Sequence, residues 1–326
     1  MPIRVATKFE DFGNAGVDIL WPVHLEPKIS TMDKKLIINV APVGGLISRK
    51  QNPTQPYNAK EIAKDAIEGY KAGAAMWHVH CRENGGFSVN VEEYKKTMDL
   101  VFKKAPDIIT NLCTVWSPTF EGAEGRMKPM VEPLQKYGDK YAEMALVNPI
   151  SFGLGPAVLI STPAGVEEEV KYLEKVKCKP ELVGYNHGAL DVIFEHAVNN
   201  GLAKKPILID IAAGIHNASP TTPDPEGIVN LIQMARRVMG KPGIIWQAII
   251  GGHNWLPLTV IAIILGADIV RVGKEDMVYM YPHKDDIITS CGDAVNKIAT
   301  IARELGREIA TPAEARKILG LKTPKQ

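Results

Sequence analysis

Short, β-branched apolar runs alternate with amphipathic stretches along most of the chain. The apolar runs fall at residues 36–40, 76–80, 108–113, 142–147, 182–185, 207–211, 244–249 and 269–272. Stretches with helical periodicity fall at 59–72, 91–104, 165–176, 189–199, 225–238, 257–265 and 287–305. This alternation is the signature of βα units with a parallel sheet. Eight strands is the barrel count, and 326 residues is an ordinary barrel length. The expected fold is therefore an α/β, TIM (β/α)8 barrel over residues 35–326. A doubly wound sheet fits less well. Nothing marks a reversal of strand order, and no Gly-x-Gly-x-x-Gly follows the first strand.

Residues 1–34 stand apart from this pattern. They hold scattered aromatics (Phe9, Phe12, Trp21) and prolines without periodicity. They read as an N-terminal extension packed over the body or over a neighbouring subunit. The other end carries a clear helix signal. Thr311-Pro312-Ala313-Glu314 is a capping box with proline at the first helical position, continued by residues 315–319.

Composition narrows the function classes. A hydrophobic content of 45% supplies a large core. The 38 basic and 37 acidic residues give a net charge of +1, with no basic stripe to grip a phosphate backbone, so nucleic acid is a poor partner. The longest apolar run, around 256–265, is too short to span a membrane and begins Leu256-Pro257. The N-terminus lacks a basic-then-apolar leader. Cys81, Cys113, Cys178 and Cys291 are scattered and form no CxxC pair, which fits a reducing cytoplasm.

Candidate chemistry gathers at the C-terminal ends of the predicted strands, where barrel enzymes work. His78 and His80 end the second strand, and residues two apart on a strand share a face. Both imidazoles then point into the barrel mouth, an arrangement that suits Zn²⁺ or a similar cation. The spacing alone also allows a pair of buried, hydrogen-bonded histidines. Gly273-Lys274-Glu275-Asp276 follows the last strand at the same rim. Glu275 would complete a His₂Glu set with open positions, and Asp276 would serve as general base. Alone, this segment also reads as a solvated acidic turn before a helix.

Further residues cluster at the same face. Arg82 and Glu83 read either as an ion pair orienting the ligands or as a plain surface pair. His253 follows the seventh strand and is a candidate for proton transfer or a substrate carboxylate, or a loop histidine bonded to backbone. Thr114 and Asn148 end the third and fourth strands as candidate donors to substrate. Cys113, with no base adjacent in sequence, reads as a small buried hydrophobe rather than a nucleophile. Gly44-Gly45 permits close backbone approach to a ligand or simply a tight turn. His187 and His216 close the fifth and sixth strand regions without a distinguishing signal.

Taken together these motifs resemble the β-keto acid cleavage enzyme family, whose founding activity is 3-keto-5-aminohexanoate cleavage in lysine fermentation. The matching pieces are residues 37–42 (Ile-Ile-Asn-Val-Ala-Pro), His78-Val79-His80-Cys81-Arg82-Glu83, Gly273-Lys274-Glu275-Asp276, and the tail over 301–307 and 310–316. The resemblance covers about residues 36–321. It implies a TIM barrel, zinc at His78, His80 and Glu275, and a general base at Asp276. It also implies acetyl-CoA as co-substrate, with acetoacetate and a new acyl-CoA as products, and a homo-oligomer, a tetramer in the family.

Three positions depart from the founding pattern. Leu46 stands where that activity keeps an acidic residue for the substrate amine. Cys113 replaces a serine, and His253 replaces an arginine. Leu46, Cys113, Thr114 and Asn148 are thus the candidate substrate-binding positions, and a neutral or apolar-tailed substrate is expected. Two rival readings remain from the sequence: a metal-dependent aldolase, lyase or hydrolase without CoA, and a non-catalytic binding protein on the same fold.

Overall fold

The computed structural model describes residues 29–114, 122–154, 157–215, 222–239 and 241–323. Met1–Thr31 and Met32–Gln326 form two compact units. Most of the proposed extension, and His216, lie outside the described residues.

Eight parallel strands close into a barrel: β1 (Ile37–Val40), β2 (Met76–Val79), β3 (Ile109–Leu112), β4 (Met144–Val147), β5 (Lys179–Gly184), β6 (Ile207–Ala213), β7 (Ile244–Ile250) and β8 (Ile269–Val272). Each neighbours the next in sequence, and β1 pairs with β8 to close the ring. The TIM barrel expected from the sequence is the observed fold.

The helices are α1 (Ala59–Lys71), α2 (Val91–Phe102), α3 (Lys128–Gln135), α4 (Pro163–Val176), α5 (His187–Ile193), α6 (Pro225–Met239), α7 (Trp255–Ile264), α8 (Cys291–Glu304) and α9 (Pro312–Leu319). The helices depart from the sequence pattern most clearly in three places. Helix α3 has no counterpart in it, because Pro129 and Pro133 break the usual signal; Pro129 sits in the first turn, where its missing N–H is harmless. The expected helix at 189–199 ends at Ile193 and continues as a π-helical turn, Phe194–Val198. The last long helix starts at Cys291, capped by Ser290, not at 287. Helix α9 carries the expected capping box, with Thr311 and Glu314 each bonding the other's backbone N–H.

The barrel interior is layered. At its lower end Ile37, Met76, Ile109, Met144, Leu208, Ile245 and Ile269 form an apolar plug, sealed by Ala315 and Leu319 of α9. Above the plug lie buried polar residues, among them Asn39, Asn111, Glu181, Asp210 and Gln247. A small apolar cluster near the upper end contains Cys113, Leu146, Val183, Tyr185, Ala212 and Ile249. The main apolar shell holds the strands' other faces against the helices. A sealed bottom leaves chemistry only at the upper mouth.

Candidate active site

The residues after β1, β2 and β8 meet at the mouth. His78 and His80 are both buried, with ring centroids 5.1 Å apart, as their spacing predicts. The turn carrying Glu275 and Asp276 is folded inward, which removes the reading as a solvated turn. Gly273 makes this possible. Its φ is +152°, and a Cβ there would lie 2.1 Å from the Ala41 carbonyl oxygen. Glu275 N–H then donates to Ala41 O at 3.1 Å, tying the turn to β1. Lys274 is buried beneath, its Nζ 2.5 Å from Asp65 Oδ2 of α1 and 2.8 Å from Thr54 O. With its ammonium tethered below, the two following carboxylates face the mouth.

Glu275 Oε1 lies 3.5 Å from His78 Nε2 and 3.3 Å from His80 Nε2. Two ligands each 2.0–2.1 Å from a tetrahedral cation stand about 3.4 Å apart. Each imidazole therefore stands from Glu275 at the span expected of two ligands sharing one small divalent ion. The electrostatics point the same way. Against the desolvation that burial imposes, Glu275 raises His78 to about 10. Against the same desolvation, the Cys113 sulfur and Glu275 raise His80 to about 9. Burial opposes ionisation of Glu275, but Arg271 and the two histidines hold it well below the usual carboxylate range. In the metal-free chain the site thus gathers protons onto its imidazoles, and a cation would displace them.

Cys113 joins this group. Its sulfur and the two imidazoles lie within 4.8 Å of one another, a second possible donor set. Burial pushes the thiol up, yet the facing His80 and His78 bring it down to about 6. Cys113 is buried in an apolar cluster, as expected of a small hydrophobe, and its sulfur also faces the two imidazoles. The base missing from the local sequence comes from the neighbouring strand, because β2 and β3 pair His78 with Asn111 and Val79 with Leu112.

Asp276 is held by a residue the sequence reading missed. Arg271, on β8, donates from Nε and Nη2 to the two Asp276 carboxylate oxygens, both at 2.8 Å. Its Nη2 also lies 3.5 Å from Glu275 Oε1. Burial raises Asp276 from its ordinary value, and Arg271 offsets part of that rise. The guanidinium that supports Asp276 is therefore Arg271, not a group on the loop of His253.

Asp276 opens onto a cleft of about 360 Å³ lined also by Ile47, Gln51, Pro223, His253, Val278 and Tyr279. His253 is exposed and stacks on Tyr279 with centroids 4.2 Å apart. Leu46 is half-buried and not among the cleft-lining residues; its neighbour Ile47 is. The Thr114 hydroxyl donates to Leu146 O at 2.6 Å, which uses its one proton, so it is not the expected donor. Asn148 Oδ1 accepts from the Tyr185 hydroxyl at 2.6 Å. Arg82 does not pair with Glu83. Its guanidinium donates to Gly44 O at 2.6 and 2.8 Å and to Ile47 O at 2.8 Å, stapling the loop after β1. Glu83 and His187 are exposed.

Two histidines, two carboxylates and an arginine thus meet at the mouth of the barrel, beside a cleft that Asp276 lines. The chain belongs to the β-keto acid cleavage enzyme family, whose model matches residues 35–321. It is 32% identical to a 3-keto-5-aminohexanoate cleavage enzyme of Fusobacterium nucleatum, over 89% of this chain and 100% of that one. It is 28% identical to a 3,5-dioxohexanoate:acetyl-CoA acetone transferase of Paraburkholderia graminis, over 89% and 96%. A solved ternary complex of ObcA with a C4-CoA adduct and oxalate shares the fold, with a TM-score of 0.67 at 21% identity over 82% of this chain and 68% of that one.

Proposed function

We propose that this chain condenses a β-keto acid with acetyl-CoA and yields acetoacetate and a new acyl-CoA. The observation that carries the proposal is the convergence of His78, His80 and Glu275 beside Asp276. A divalent cation, zinc by family resemblance, held by the first three would polarise the substrate keto oxygen and steady enolate charge.

The chain's own residues do the rest. Asp276 takes a proton from the carbon between the keto and carboxylate groups. Its raised pKa suits a base, and Arg271 fixes both of its oxygens so that it faces the cleft in one orientation. The resulting carbanion attacks the acetyl-CoA carbonyl and CoA thiolate leaves. The thiolate then attacks the original keto carbon. The carbon–carbon bond to that carbon breaks, and acetoacetate departs as an enolate that Asp276 reprotonates. His253 lines the same cleft, which supports a role for it in meeting a substrate or thioester oxygen.

The substrate we infer has a neutral or apolar tail. Among the described cleft-lining residues, Asp276 is the sole carboxylate, and Arg271 already pairs it. A buried ammonium without a partner is expensive. Ile47, Val278 and Pro223 offer apolar surface instead.

The test is a panel of β-keto acids assayed with and without acetyl-CoA. Acetoacetate and a new acyl-CoA should form in equal amounts, only with acetyl-CoA, and kcat/KM should favour a neutral tail over the amino compound. Consumption of the β-keto acid without acetyl-CoA would favour the lyase reading. No turnover of any compound would favour the binding-protein reading.

A further inference from the structure

Beneath the mouth the barrel carries a chain of polar contacts. Asn39, Asn111, Glu181, Asp210 and Gln247 are all fully buried. Asn39 Nδ2 donates to Gln247 Oε1 at 3.0 Å. Gln247 Nε2 donates to Glu181 Oε1 at 2.5 Å and to Asp210 Oδ1 at 3.0 Å. Asn111 Nδ2 donates to the other Glu181 oxygen. Asn111 Oδ1 meets His78 Nδ1 at 2.7 Å. The sequence of contacts is unbroken from Asn39 to His78. A layer of apolar side chains, like the plug directly below, would fill the same space without burying five polar groups. Packing alone gives no reason for them.

The direction of each bond supplies one. An ionised carboxylate only accepts, whereas a side-chain amide can present either end. Glu181 receives an amide nitrogen on each of its oxygens. Asn111 must then turn its nitrogen to Glu181 and its oxygen to His78. A carbonyl oxygen cannot donate, so His78 Nδ1 carries the hydrogen. In the neutral ring, the form a cation binds, the nitrogen left with its lone pair is then Nε2, the atom 3.5 Å from Glu275. Burial and the neighbouring Glu181 charge hold Asp210 well above its usual range.

We propose that Glu181, acting through Asn111, is a positioning residue that fixes the tautomer of His78 and so presents Nε2 as a cation ligand. This rests on the reading of His78 as a ligand. Hydrogen bonds of this kind to a ligand's far nitrogen commonly set metal affinity by 10–100-fold.

The test is Zn²⁺ affinity of chelator-stripped full-length protein, read by competition with a chromophoric chelator, with circular dichroism as a check on folding. Asn111→Leu removes the acceptor and should weaken Zn²⁺ binding about 10–100-fold. Glu181→Gln supplies a competing N–H, lets the Asn111 amide reverse, and should weaken it comparably. The double variant Asn111→Asp/Glu181→Gln reverses the bond between the two positions and again gives every donor an acceptor. The new carboxylate accepts from His78 and from the new amide, whose oxygen accepts from Gln247. Its affinity should return to within a few-fold of the parent, which a merely structural defect would not do. Folded single variants that bind Zn²⁺ as tightly as the parent overturn the proposal. Where a single variant does not fold, ¹⁵N NMR of histidine-labelled, Zn²⁺-loaded parent decides: a protonated Nδ1 on His78 supports it, and a metal-bound Nδ1 overturns it. A parent that binds no Zn²⁺ overturns the ligand reading as well, which separates the two failures.

Discussion

Gly44 offers a test of the metal centre that leaves every proposed ligand in place. It lies in the loop after β1, held there by Arg82. A Cβ added at Gly44 would stand 2.4 Å from Glu275 Cγ and 3.0 Å from Cδ, against about 3.4 Å for ordinary contact. Gly44→Ala must therefore displace the middle of the Glu275 side chain by about 1 Å. Cγ is not a flexible tip, and the side chain is only 12% exposed, so it has little room to swing aside. Glu275 Oε1 now stands 3.3–3.5 Å from both imidazole nitrogens and Arg271, and a shift of that size breaks the shared geometry. Misplacement by about 1 Å typically lowers turnover around 10²-fold. We expect Gly44→Ala to fold like the parent, bind Zn²⁺ about 10–100-fold more weakly, and lose kcat/KM on the order of 10²-fold. Elemental analysis after dialysis, chelator competition and steady-state rates measure all three. Parental metal content together with a parental rate would refute the placement of Glu275 against the β1 loop.

Three other substitutions separate base, support and scaffold. Asp276→Asn should retain fold and metal content yet lower kcat by about 10²-fold or more, the scale of a positioned base; a near-parental rate moves that role, with His253 the first candidate. Arg271→Gln leaves a buried carboxylate without its partner and should lower unfolding free energy by about 3–5 kcal/mol in urea titrations. Adding Asp276→Asn should recover part of that loss, and strict additivity of the two changes would argue against the pairing. Thr311→Ala removes the capping box and should cost about 0.5–2 kcal/mol of stability with kcat unchanged, since α9 closes the far end of the barrel. A changed kcat would show that the plug and the mouth are coupled.

The barrel was legible because strand and helix differ in their periods, and each period is local. Helix α3 was not, since two prolines in eight residues mask it. The proposed metal centre was half legible. His78 and His80 are two apart on one strand, and Glu275 and Asp276 are adjacent, so each pair announces itself. Arg271 sits inside an apolar strand run, Ile269-Val270-Arg271-Val272, and meets Asp276 only because the turn at Gly273 folds back. Cys113 reads as a lone thiol until strand pairing sets it beside the histidines. Asn111, Glu181 and Gln247 are single polar residues on three strands, and barrel closure alone brings them into contact. His253 was visible as a rim residue, but its stacking on Tyr279 depends on a segment with no regular period.

The most direct test of the central claim follows one carbon. Acetyl-CoA carrying ¹³C at the thioester carbonyl is incubated with the enzyme and its preferred β-keto acid, and products are read by ¹³C NMR. The acetyl group becomes the methyl-ketone half of acetoacetate, so the label should appear at the keto carbon of acetoacetate, with the new acyl-CoA unlabelled. Label in the new acyl-CoA, or acetoacetate formed without label, would contradict the carbanion attack on acetyl-CoA and the role assigned to Asp276.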